Sequence, residues 1–290
     1  MNPVRFGIGV AIVLLGFFVF SHYVSHQLIT PKTEKQLTIL TYNTHQMGTI
    51  KKVEVNDLIH YLQHKNVDIV CMQEVEVRKK DEWLTLPELR HAFKKNYSYT
   101  YYDFKVYNQT RQFGNVVFSK FPLIGKHTIQ YNSRSNISSC CDVVAFDDTL
   151  RLFINHLESN KIAKDSVRKA SGLHKKIRYL RSHLKPARKL REEQAKILEA
   201  EIQQSPYPVL VVGDFNATPM SKVSRILHEN LDDCFLKGSF GKLGNTYMFN
   251  SFVGIRIDYI LCSESIKTIH SEVDTVKYSD HYPLIATVGW

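Results

Sequence analysis

Short apolar runs, each followed by polar side chains, recur through most of this chain of 290 residues. Each run is too short for a helix, and most are rich in Val, Ile, Phe or Tyr, so they predict buried strands. Two longer stretches, residues 55–64 and 188–203, predict helices. Strands interleaved with helices indicate an α/β fold whose site lies in loops at strand ends. The predicted strands are residues 37–42, 67–72, 114–118, 150–154, 208–212 and 256–261.

The amino-terminal stretch is the most apolar part of the sequence. Residues 6–20 are all apolar or glycine, and Arg5 precedes them. A spanning helix needs about 20 such residues, and a basic residue before it predicts an inside amino terminus. We expect residues 1–24 to form one transmembrane helix, 25–36 a tether, and 37–290 a single domain outside the cytoplasm. A cleaved signal peptide and a buried core helix are the alternatives, although no small-residue cleavage site follows the run.

The charge is unevenly distributed. The formal net charge is +10, which suggests an anionic partner. Residues 161–191 hold twelve basic residues against Asp165, and their apolar positions recur at three- and four-residue steps. This spacing predicts a basic helical insertion up to Pro186. A solvated helix face is the ordinary interpretation, but the imbalance of sign equally favours binding to an acidic membrane surface or to nucleic acid.

The five cysteines argue against a structural zinc ion. They are scattered, without the paired Cys or His spacing that zinc sites use. Cys71 and Cys262 lie within apolar runs, where cysteine acts as a small buried hydrophobe. In an exported domain Cys140, Cys141 or Cys234 could form a disulfide, and the odd number leaves the pairing open.

The most informative motif is Val-Leu-Val-Val-Gly-Asp-Phe-Asn-Ala-Thr-Pro at residues 209–219. The strand in it delivers the carboxylate of Asp214 and the carboxamide of Asn216 to one cleft. Asp214 can accept a proton from water while Asn216 donates hydrogen bonds to a phosphate oxygen. An Asx-turn that closes a strand is the structural alternative.

Two further strands near the start of the domain end in polar residues. Asn43 follows residues 39–42, and Glu74 follows residues 69–72. Hard Mg²⁺ takes oxygen ligands and keeps most of its waters, so one or two carboxylates suffice to bind it. Glu74 is the first choice of ligand, with Asn43 in support. Ordinary caps at the ends of strands are the alternative.

Two histidines have settings suited to phosphoryl chemistry. His156 ends the run at residues 152–155, and His281 follows Asp280 near the carboxyl terminus. A histidine can stabilise charge on a phosphoryl group or protonate a leaving oxygen, and a carboxylate partner fixes its tautomer. Asp258 is the candidate partner, which leaves Asp280 free to bind the metal ion. The other histidines are interpreted as surface or core residues.

Taken in order, these motifs resemble the endonuclease/exonuclease/phosphatase family, which includes deoxyribonuclease I, inositol polyphosphate 5-phosphatases and neutral sphingomyelinases. The resemblance runs from about residue 37 to the end. It implies a four-layer α/β sandwich of two packed mixed β-sheets flanked by helices. It also implies Mg²⁺, or Mn²⁺ or Ca²⁺ in its place, at Asn43, Glu74 and Asp280. The catalytic residues it implies are His156, Asp214, Asn216, Asp258 and His281, and the substrate contacts are Asn115, His156 and Asn216.

Two departures bear on the branch of the family. His45 stands where abasic-site endonucleases carry an aspartate, and the basic insertion is longer than in compact secreted nucleases. The resemblance implies hydrolysis of a phosphate ester by in-line attack of water, by a protein expected to be monomeric. The substrate is either nucleic acid or a phospholipid or its headgroup. A non-catalytic, membrane-tethered anion-binding module is the alternative from another class of protein.

Overall fold

The structure, a computed structural model, describes residues 15–16, 19–45, 52–78, 84–108, 110–133, 136–160, 173–248 and 254–290. The helices are α1 Lys52–His64, α2 Leu86–Phe93, α3 Leu173–Gln203, α4 Lys222–Leu227 and α5 Cys234–Gly238. The strands are β1 Gln36–Asn43, β2 Ile69–Arg78, β3 Tyr99–Asn108, β4 Arg111–Ser119, β5 Leu123–Ile129, β6 Ser138–Ala145, β7 Asp148–His156, β8 Val209–Asp214, β9 Leu231–Asp233, β10 Tyr247–Met248, β11 Gly254–Ile255, β12 Asp258–Ser263, β13 Lys267–Val273 and β14 Leu284–Gly289.

Most of these strands belong to two mixed sheets. The first sheet has the order β13-β14-β1-β2-β4-β3, and the second has the order β5-β6-β7-β8-β12-β9. Each sheet has one parallel pair, β1 with β2 in the first and β7 with β8 in the second, and every other pair is antiparallel. Parallel neighbours end at the same edge of a sheet, so each sheet brings two strand ends together there.

The apolar side chains divide into three layers of core. One cluster lies between the sheets and includes Ile39, Ile154 and Val212. A second, with Leu58 and Phe93, packs α1 and α2 against the outer face of the first sheet. A third, with Leu198, packs α3 against the outer face of the second sheet. The expected sandwich of two packed mixed sheets flanked by helices is therefore confirmed.

Each of the predicted strands is present, with ends shifted by a few residues. The prediction of two separate helices around Pro186 was wrong, because α3 continues through the proline. The carboxyl-terminal part of α3 is held on the second sheet: Ala195 and Leu198 are buried, and Arg191 donates to the carbonyl of Glu158 at 2.6 Å. These contacts offset the one backbone hydrogen bond that a proline removes from a helix.

The basic insertion is described only from Leu173 onward, and residues 161–172 lie outside the described part of the chain. Two of its basic side chains meet acidic partners one turn along α3, Arg188 with Glu192 at 3.5 Å and Lys189 with Glu193 at 3.9 Å. Arg191 is buried, and burial lowers its pKa. These three residues are thus engaged by the protein itself.

Most of the predicted anchor, residues 1–14 and 17–18, lies outside the described residues. Residues 19–23 are helical. Among the described residues, no helix combines the length and the apolar composition needed to cross a membrane. The start of the predicted tether contacts the domain, since the backbone N–H of Ser25 donates to Lys242 and that of Gln27 donates to Ser239.

All five cysteines lie within the described residues, and each is a buried free thiol. The interpretation of Cys71 and Cys262 as small buried hydrophobes agrees with their full burial. Burial raises the pKa of the Cys140 thiol to about 12, so it stays protonated near neutral pH. Protonated, buried thiols are poor nucleophiles and poor metal ligands.

Candidate active site

Polar residues that follow the strands meet at one edge of the two sheets. Asn43 ends β1 beside the part of β2 that carries Glu74. In the second sheet, the register places Asp214 between His156 of β7 and Asp258 of β12. The two parallel pairs therefore bring together side chains that lie far apart in the sequence.

The carboxylate of Asp214 is the centre of this cluster. Its Oδ2 accepts from Asn43 Nδ2 at 2.9 Å and from Asn216 Nδ2 at 3.0 Å, and its Oδ1 accepts from the backbone N–H of Asn216 at 2.7 Å. The Nε2 atoms of His281 and His156 lie 3.8 Å and 4.0 Å from the same Oδ2. One oxygen atom thus faces two amides at bonding distance and two imidazoles just beyond it.

The environment of Asp214 makes it a stronger base than an ordinary aspartate. Burial raises its pKa, and the nearby charge of Asp258 raises it further, against the opposing effects of His281, His156 and the Asn216 N–H. The net direction is upward. A carboxylate whose pKa is shifted toward neutrality is suited to general-base catalysis.

Asn43 holds two carboxylates in place. Its Nδ2 donates to Glu74 Oε1 at 3.2 Å as well as to Asp214. Its Oδ1 accepts from the backbone N–H of His45 at 3.0 Å. Asn43 therefore positions two of the acids, and its predicted place near a metal ion stays a prediction.

His281 and Asp258 form a buried hydrogen-bonded pair. The Nδ1 of His281 lies 2.9 Å from Asp258 Oδ2, as the sequence predicts. Burial lowers the pKa of His281, but the charges of Asp258 and Asp214 outweigh it and raise this pKa to about 10. His281 is therefore an imidazolium at neutral pH, and its Nε2 proton points toward the cluster.

Asp280 lies at the open side of the cluster. Its side chain is 30% exposed, and its Oδ1 is 3.3 Å from His45 Nδ1. The neighbouring Ser279 connects this loop to the first sheet, because its hydroxyl donates to the backbone carbonyl of Asn43 at 2.9 Å. A partly exposed carboxylate beside buried ones suits an ion that keeps some of its waters.

Three of these residues have a left-handed backbone conformation without being glycine. They are His45 with φ 46°, Glu74 with φ 54° and Asn216 with φ 50°. Glu74 also lies where the register of β2 against β4 shifts, between Met72 and Val75. Strained backbone and bulges redirect side chains and cluster at functional sites. The bulge explains how Glu74 leaves the strand's regular alternation.

Asn115 lies behind the cluster, between the sheets. Its Nδ2 donates to Ser139 Oγ at 3.0 Å and to the carbonyl of Ile154 at 3.1 Å, both in the second sheet. Its buried Oδ1 has no hydrogen-bond partner among the described residues. Asn115 therefore joins the sheets, and any contact of Asn115 with a substrate remains a prediction.

Sequence reasoning missed Tyr247 and Thr246. The ring of Tyr247 packs against His281 with centroids 4.9 Å apart. Burial raises the pKa of Tyr247, as do the charges of Asp280, Asp214 and Glu74, which places the phenol among the acids. Thr246 Oγ1 accepts from the backbone N–H of Asp258 at 3.0 Å. Both residues lie in a short irregular segment without an apolar run, so no periodic signal marks them.

The donors present fit a divalent cation. The ligand atoms of Asp214, Asp258 and His281 lie within 4.8 Å of one another, and the buried Oδ1 of Asp258 has no hydrogen-bond partner among the described residues. The carboxylate oxygens suit a hard cation such as Mg²⁺. Of these, Glu74 Oε1 lies 3.3 Å from the Nε2 of His156. A cation would offset the concentration of carboxylates in this cleft.

Comparison with known proteins agrees with the site. A sequence profile of the Endonuclease/Exonuclease/phosphatase family matches residues 40–281. The chain belongs to this family. Members of the Endonuclease/Exonuclease/phosphatase family are phosphoesterases and nucleases that depend on a divalent metal. No curated protein sequence matches the chain.

Solved structures of the family share the fold at low identity. An endonuclease/exonuclease/phosphatase from Beutenbergia cavernae has a TM-score of 0.65 at 14% identity, over 88% of this chain and 72% of that one. Truncated TDP2 from Caenorhabditis elegans has a TM-score of 0.62 at 17% identity, over 89% and 99%. D. rerio TDP2 complexed with a single-strand DNA product has a TM-score of 0.61 at 16% identity, over 89% and 100%.

Proposed function

We propose that this protein is a metal-dependent phosphodiesterase that cleaves a phosphate ester by in-line attack of water. The observation that carries the proposal is the geometry at Asp214 Oδ2. Amide donors of Asn43 and Asn216 fix this oxygen from within 3.0 Å, and imidazoles of His156 and His281 face it from within 4.0 Å. A fixed base between two potential proton donors is suited to displacement at phosphorus.

Asp214 orients the attacking water and takes its proton. The two amide donors hold its carboxylate in one orientation, and the raised pKa makes it a base that works near neutrality. Asn216 Nδ2 donates to the carbonyl of Leu157 as well, at 3.0 Å, so the amide is itself positioned. Positioning of this kind reduces the entropic part of the barrier.

His281 and His156 stabilise charge on the phosphoryl oxygens. Asp258 keeps His281 protonated, so its Nε2–H is a charged donor. The buried Nε2 of His156 lies 3.3 Å from Glu74 Oε1 and 4.0 Å from Asp214 Oδ2, so it faces the cleft in which a phosphoryl oxygen would bind. Preorganised donors of this kind are effective because they need not reorient during the reaction.

Glu74 and Asp280 are the proposed ligands of Mg²⁺, or of Mn²⁺ or Ca²⁺ in its place. A bound cation supplies charge stabilisation to the phosphate or the leaving oxygen. Asn43 positions Glu74 from 3.2 Å, and Ser279 links the Asp280 loop to the end of β1. Both contacts are made to Asn43, so the end of β1 supports Glu74 directly and Asp280 through its neighbour Ser279.

The proposed substrate is a nucleic acid phosphodiester. The D. rerio TDP2 structure of the same fold was determined with a single-strand DNA product. The sequence of residues 161–191 carries twelve basic residues, and positive charge of this kind attracts a phosphate backbone. A phospholipid or headgroup phosphodiester is the second candidate, favoured by the apolar run at residues 6–20. We further propose that this run anchors a monomeric protein in a membrane, with the amino terminus inside and the domain outside the cytoplasm.

The test uses the purified full-length chain with Mg²⁺. Bis-p-nitrophenyl phosphate, DNA, RNA, and vesicles of sphingomyelin or phosphoinositide are the substrates. We expect phosphodiester hydrolysis that EDTA abolishes and added Mg²⁺ restores. Asp214→Asn should lower kcat by about 10²- to 10⁴-fold, because an amide cannot accept the proton.

Asp147→Asn is the matched control for that variant. Asp147 is exposed in the turn between β6 and β7, far along the sheet from Asp214. It has a φ of 70°, a conformation that asparagine tolerates. Its kcat should equal that of the wild type. Unchanged turnover in Asp214→Asn, with the fold verified by circular dichroism, would contradict the assigned base.

A further inference from the structure

Four large apolar side chains are exposed where the amino-terminal segment meets the domain. They are Leu28, Ile29, Phe240 and Leu243, which are 84%, 83%, 66% and 55% exposed. We call this set the apolar face. Water-exposed apolar side chains are ordinary when they are scattered singly, whereas a group of them marks an interaction site.

Backbone hydrogen bonds join the two segments that carry the apolar face. His26 forms an antiparallel bridge with Phe240, and the N–H of Gln27 donates to the carbonyl of Ser239 at 2.9 Å. Ser25 exchanges backbone hydrogen bonds with the loop as well, at 3.0 Å to Lys242 and 2.9 Å from Gly241. In this antiparallel pairing, Leu28 and Ile29 continue on one side of Phe240, and Leu243 lies on its other side.

Side chains of the domain hold the same segment in place. Arg256 is buried, and its guanidinium donates to the carbonyl of His22 at 3.0 Å. The side-chain amide of Gln27 donates to the carbonyls of Thr268 and Ile269 in β13. Because both ends of the segment are fixed, the direction in which the chain leaves the domain toward residue 20 is fixed too.

The sequence on the far side of this segment indicates what covers the apolar face. Residues 6–20 carry no charged side chain, and Phe20 is separated from Ser25 by only a few residues. Five residues span at most about 18 Å. A lipid bilayer that takes up this apolar run would therefore lie close to the apolar face.

The charges around the apolar face suit an anionic lipid surface. Lys242 is exposed within the loop between Phe240 and Leu243, and Lys32 is exposed shortly after Ile29. Lysine at the rim of an apolar surface contacts lipid headgroups while the apolar side chains enter the interface.

The loop of the apolar face continues directly into the cleft. Thr246, which supports Asp258, comes three residues after Leu243, and Tyr247 packs on His281. Three residues of chain span at most about 10 Å. A surface that contacts Leu243 is therefore close to one wall of the cleft.

We propose that Leu28, Ile29, Phe240 and Leu243 form a docking surface for an anionic lipid bilayer, which places the mouth of the cleft beside the headgroup layer. This proposal rests on the proposed membrane anchor, to which it adds a second membrane contact made by the folded domain. It describes the position of the domain on the bilayer, and it is compatible with either candidate substrate.

The test places an environment-sensitive fluorophore on the apolar face. The full-length chain is reconstituted in vesicles of phosphatidylcholine and phosphatidylserine, with NBD attached to Phe240→Cys or Leu243→Cys. All five native cysteines are buried, so the introduced thiol is the reactive one. The controls are Ile124→Cys and Val106→Cys, which are 52% and 70% exposed on edge strands β5 and β3.

We expect NBD emission at positions 240 and 243 to shift to the blue, and nitroxide-labelled lipids to quench it several-fold more than at positions 124 and 106. Equal quenching at all four positions would overturn the proposal. A blue shift at 240 that depends on protein concentration and resists lipid quenching would instead identify a second copy of the chain as the occupant. Far-ultraviolet circular dichroism of each labelled variant verifies its fold, and hydrolysis of a chromogenic phosphodiester reports separately on the proposed function.

Discussion

Burial and charge act in opposite directions on His281, and charge prevails. Burial favours the neutral imidazole, whereas Asp258 at 2.9 Å and Asp214 at 3.8 Å favour the imidazolium. The outcome matters for the chemistry, because an imidazolium donates a hydrogen bond to a phosphoryl oxygen and a neutral ring in the wrong tautomer does not. Asp258 thus acts on the substrate only through His281.

Replacing this partner should be visible without any substrate. In Asp258→Asn, the pKa of His281 should fall from about 10 toward or below neutrality, because the main charge that favours the imidazolium is gone while burial remains. NMR titration of the imidazole ring protons measures the pKa of His281 in the variant and in the wild type. His228, which pairs with Asp233 at 3.2 Å away from the cluster, is the internal control, and its ring-proton signals should be the same in the variant and the wild type. A His281 pKa that stays at its wild-type value would contradict the pairing.

At this scale, the sequence predicted the residues that end strands. Asp214, Asn216, Glu74 and His156 each follow an apolar run, and a run that stops at a polar residue is visible in one dimension. Tyr247 gave no such signal, because it belongs to a two-residue strand and reaches the cluster through a bridge with His281. Such contacts depend on the docking of a loop, which local sequence does not encode.

Among the elements, β8 depends on a close approach to the neighbouring strand β7. Gly213 has a φ of 124°, and a Cβ atom on it would lie 2.1 Å from the backbone carbonyl of Asn155 in β7. Only glycine permits the two parallel strands to approach this closely just before Asp214. The strand pairing and the position of the base thus depend on one missing side chain.

Gly213→Ala should therefore lower the free energy of unfolding by about 1–3 kcal/mol and lower kcat as well, since Asp214 must shift. Gly241→Ala is the control, because Gly241 also has a positive φ, 68°, but nothing lies within 4 Å of the added Cβ. The control should show a smaller loss of stability and a wild-type kcat. Chemical denaturation and steady-state kinetics give both numbers, and equal behaviour of the two variants would contradict the steric account.

The turn from β9 into α5 depends on Asp233. Its Oδ1 caps α5 by accepting from the backbone N–H of Phe235 at 2.9 Å, and its Oδ2 pairs with the buried Arg256 at 2.6 Å. Burial raises the pKa of Asp233, but Arg256 and His228 more than offset this and lower it below the usual range. A depressed carboxyl pKa stabilises the fold above the unfolded-state pKa of about 3.9, and this stabilisation is lost as the pH falls toward the folded-state value.

Asp233→Asn should thus lower the free energy of unfolding at pH 7 by about 3–5 kcal/mol, because it leaves the guanidinium of Arg256 buried without its counter-charge. The loss of stability below about pH 4 should also be shallower than in the wild type. Asp232→Asn, which breaks the partly exposed pair with Lys237, should lower the free energy of unfolding by about 1 kcal/mol or less. Urea denaturation between pH 3 and pH 7 measures the stability of the wild type and of both variants. If Asp233→Asn were as stable as Asp232→Asn, the proposed role of the buried Asp233–Arg256 pair would be contradicted.

Two of the strands that the sequence did not predict, β5 and β13, lack a strong apolar pattern. In β5 the residues between Leu123 and Ile129 are largely exposed, and β13 mixes exposed and buried positions. Such strands are held at the edge of a sheet by pairing with a neighbour rather than by their own burial. The prediction for α3 failed for a different reason. Pro186 is a strong local signal for the end of a helix, but the packing of Ala195 and Leu198 against the second sheet overrides it.

The whole molecule brings one cleft and one apolar face to nearby parts of its surface. The two sheets supply the cleft from parallel strand ends, and the segment from Phe240 to Tyr247 connects it to the apolar face. The layered architecture could be predicted from the sequence, because the alternation of strands and helices and the family resemblance constrain it. The docking of residues 22–27 on the domain could not be predicted, because a short polar stretch after an apolar run is typical of a free tether.

The central claim is that this cleft hydrolyses phosphodiesters with a divalent cation held by Glu74 and Asp280. The most direct test is a Mg²⁺ titration of phosphodiester turnover by the chelated, full-length protein, compared with Glu74→Gln and with the exposed control Glu264→Gln. We predict saturable recovery in the wild type and the control, and a need for about 10-fold more Mg²⁺ or higher in Glu74→Gln. Full turnover without added metal, or identical titrations for all three proteins, would contradict the account.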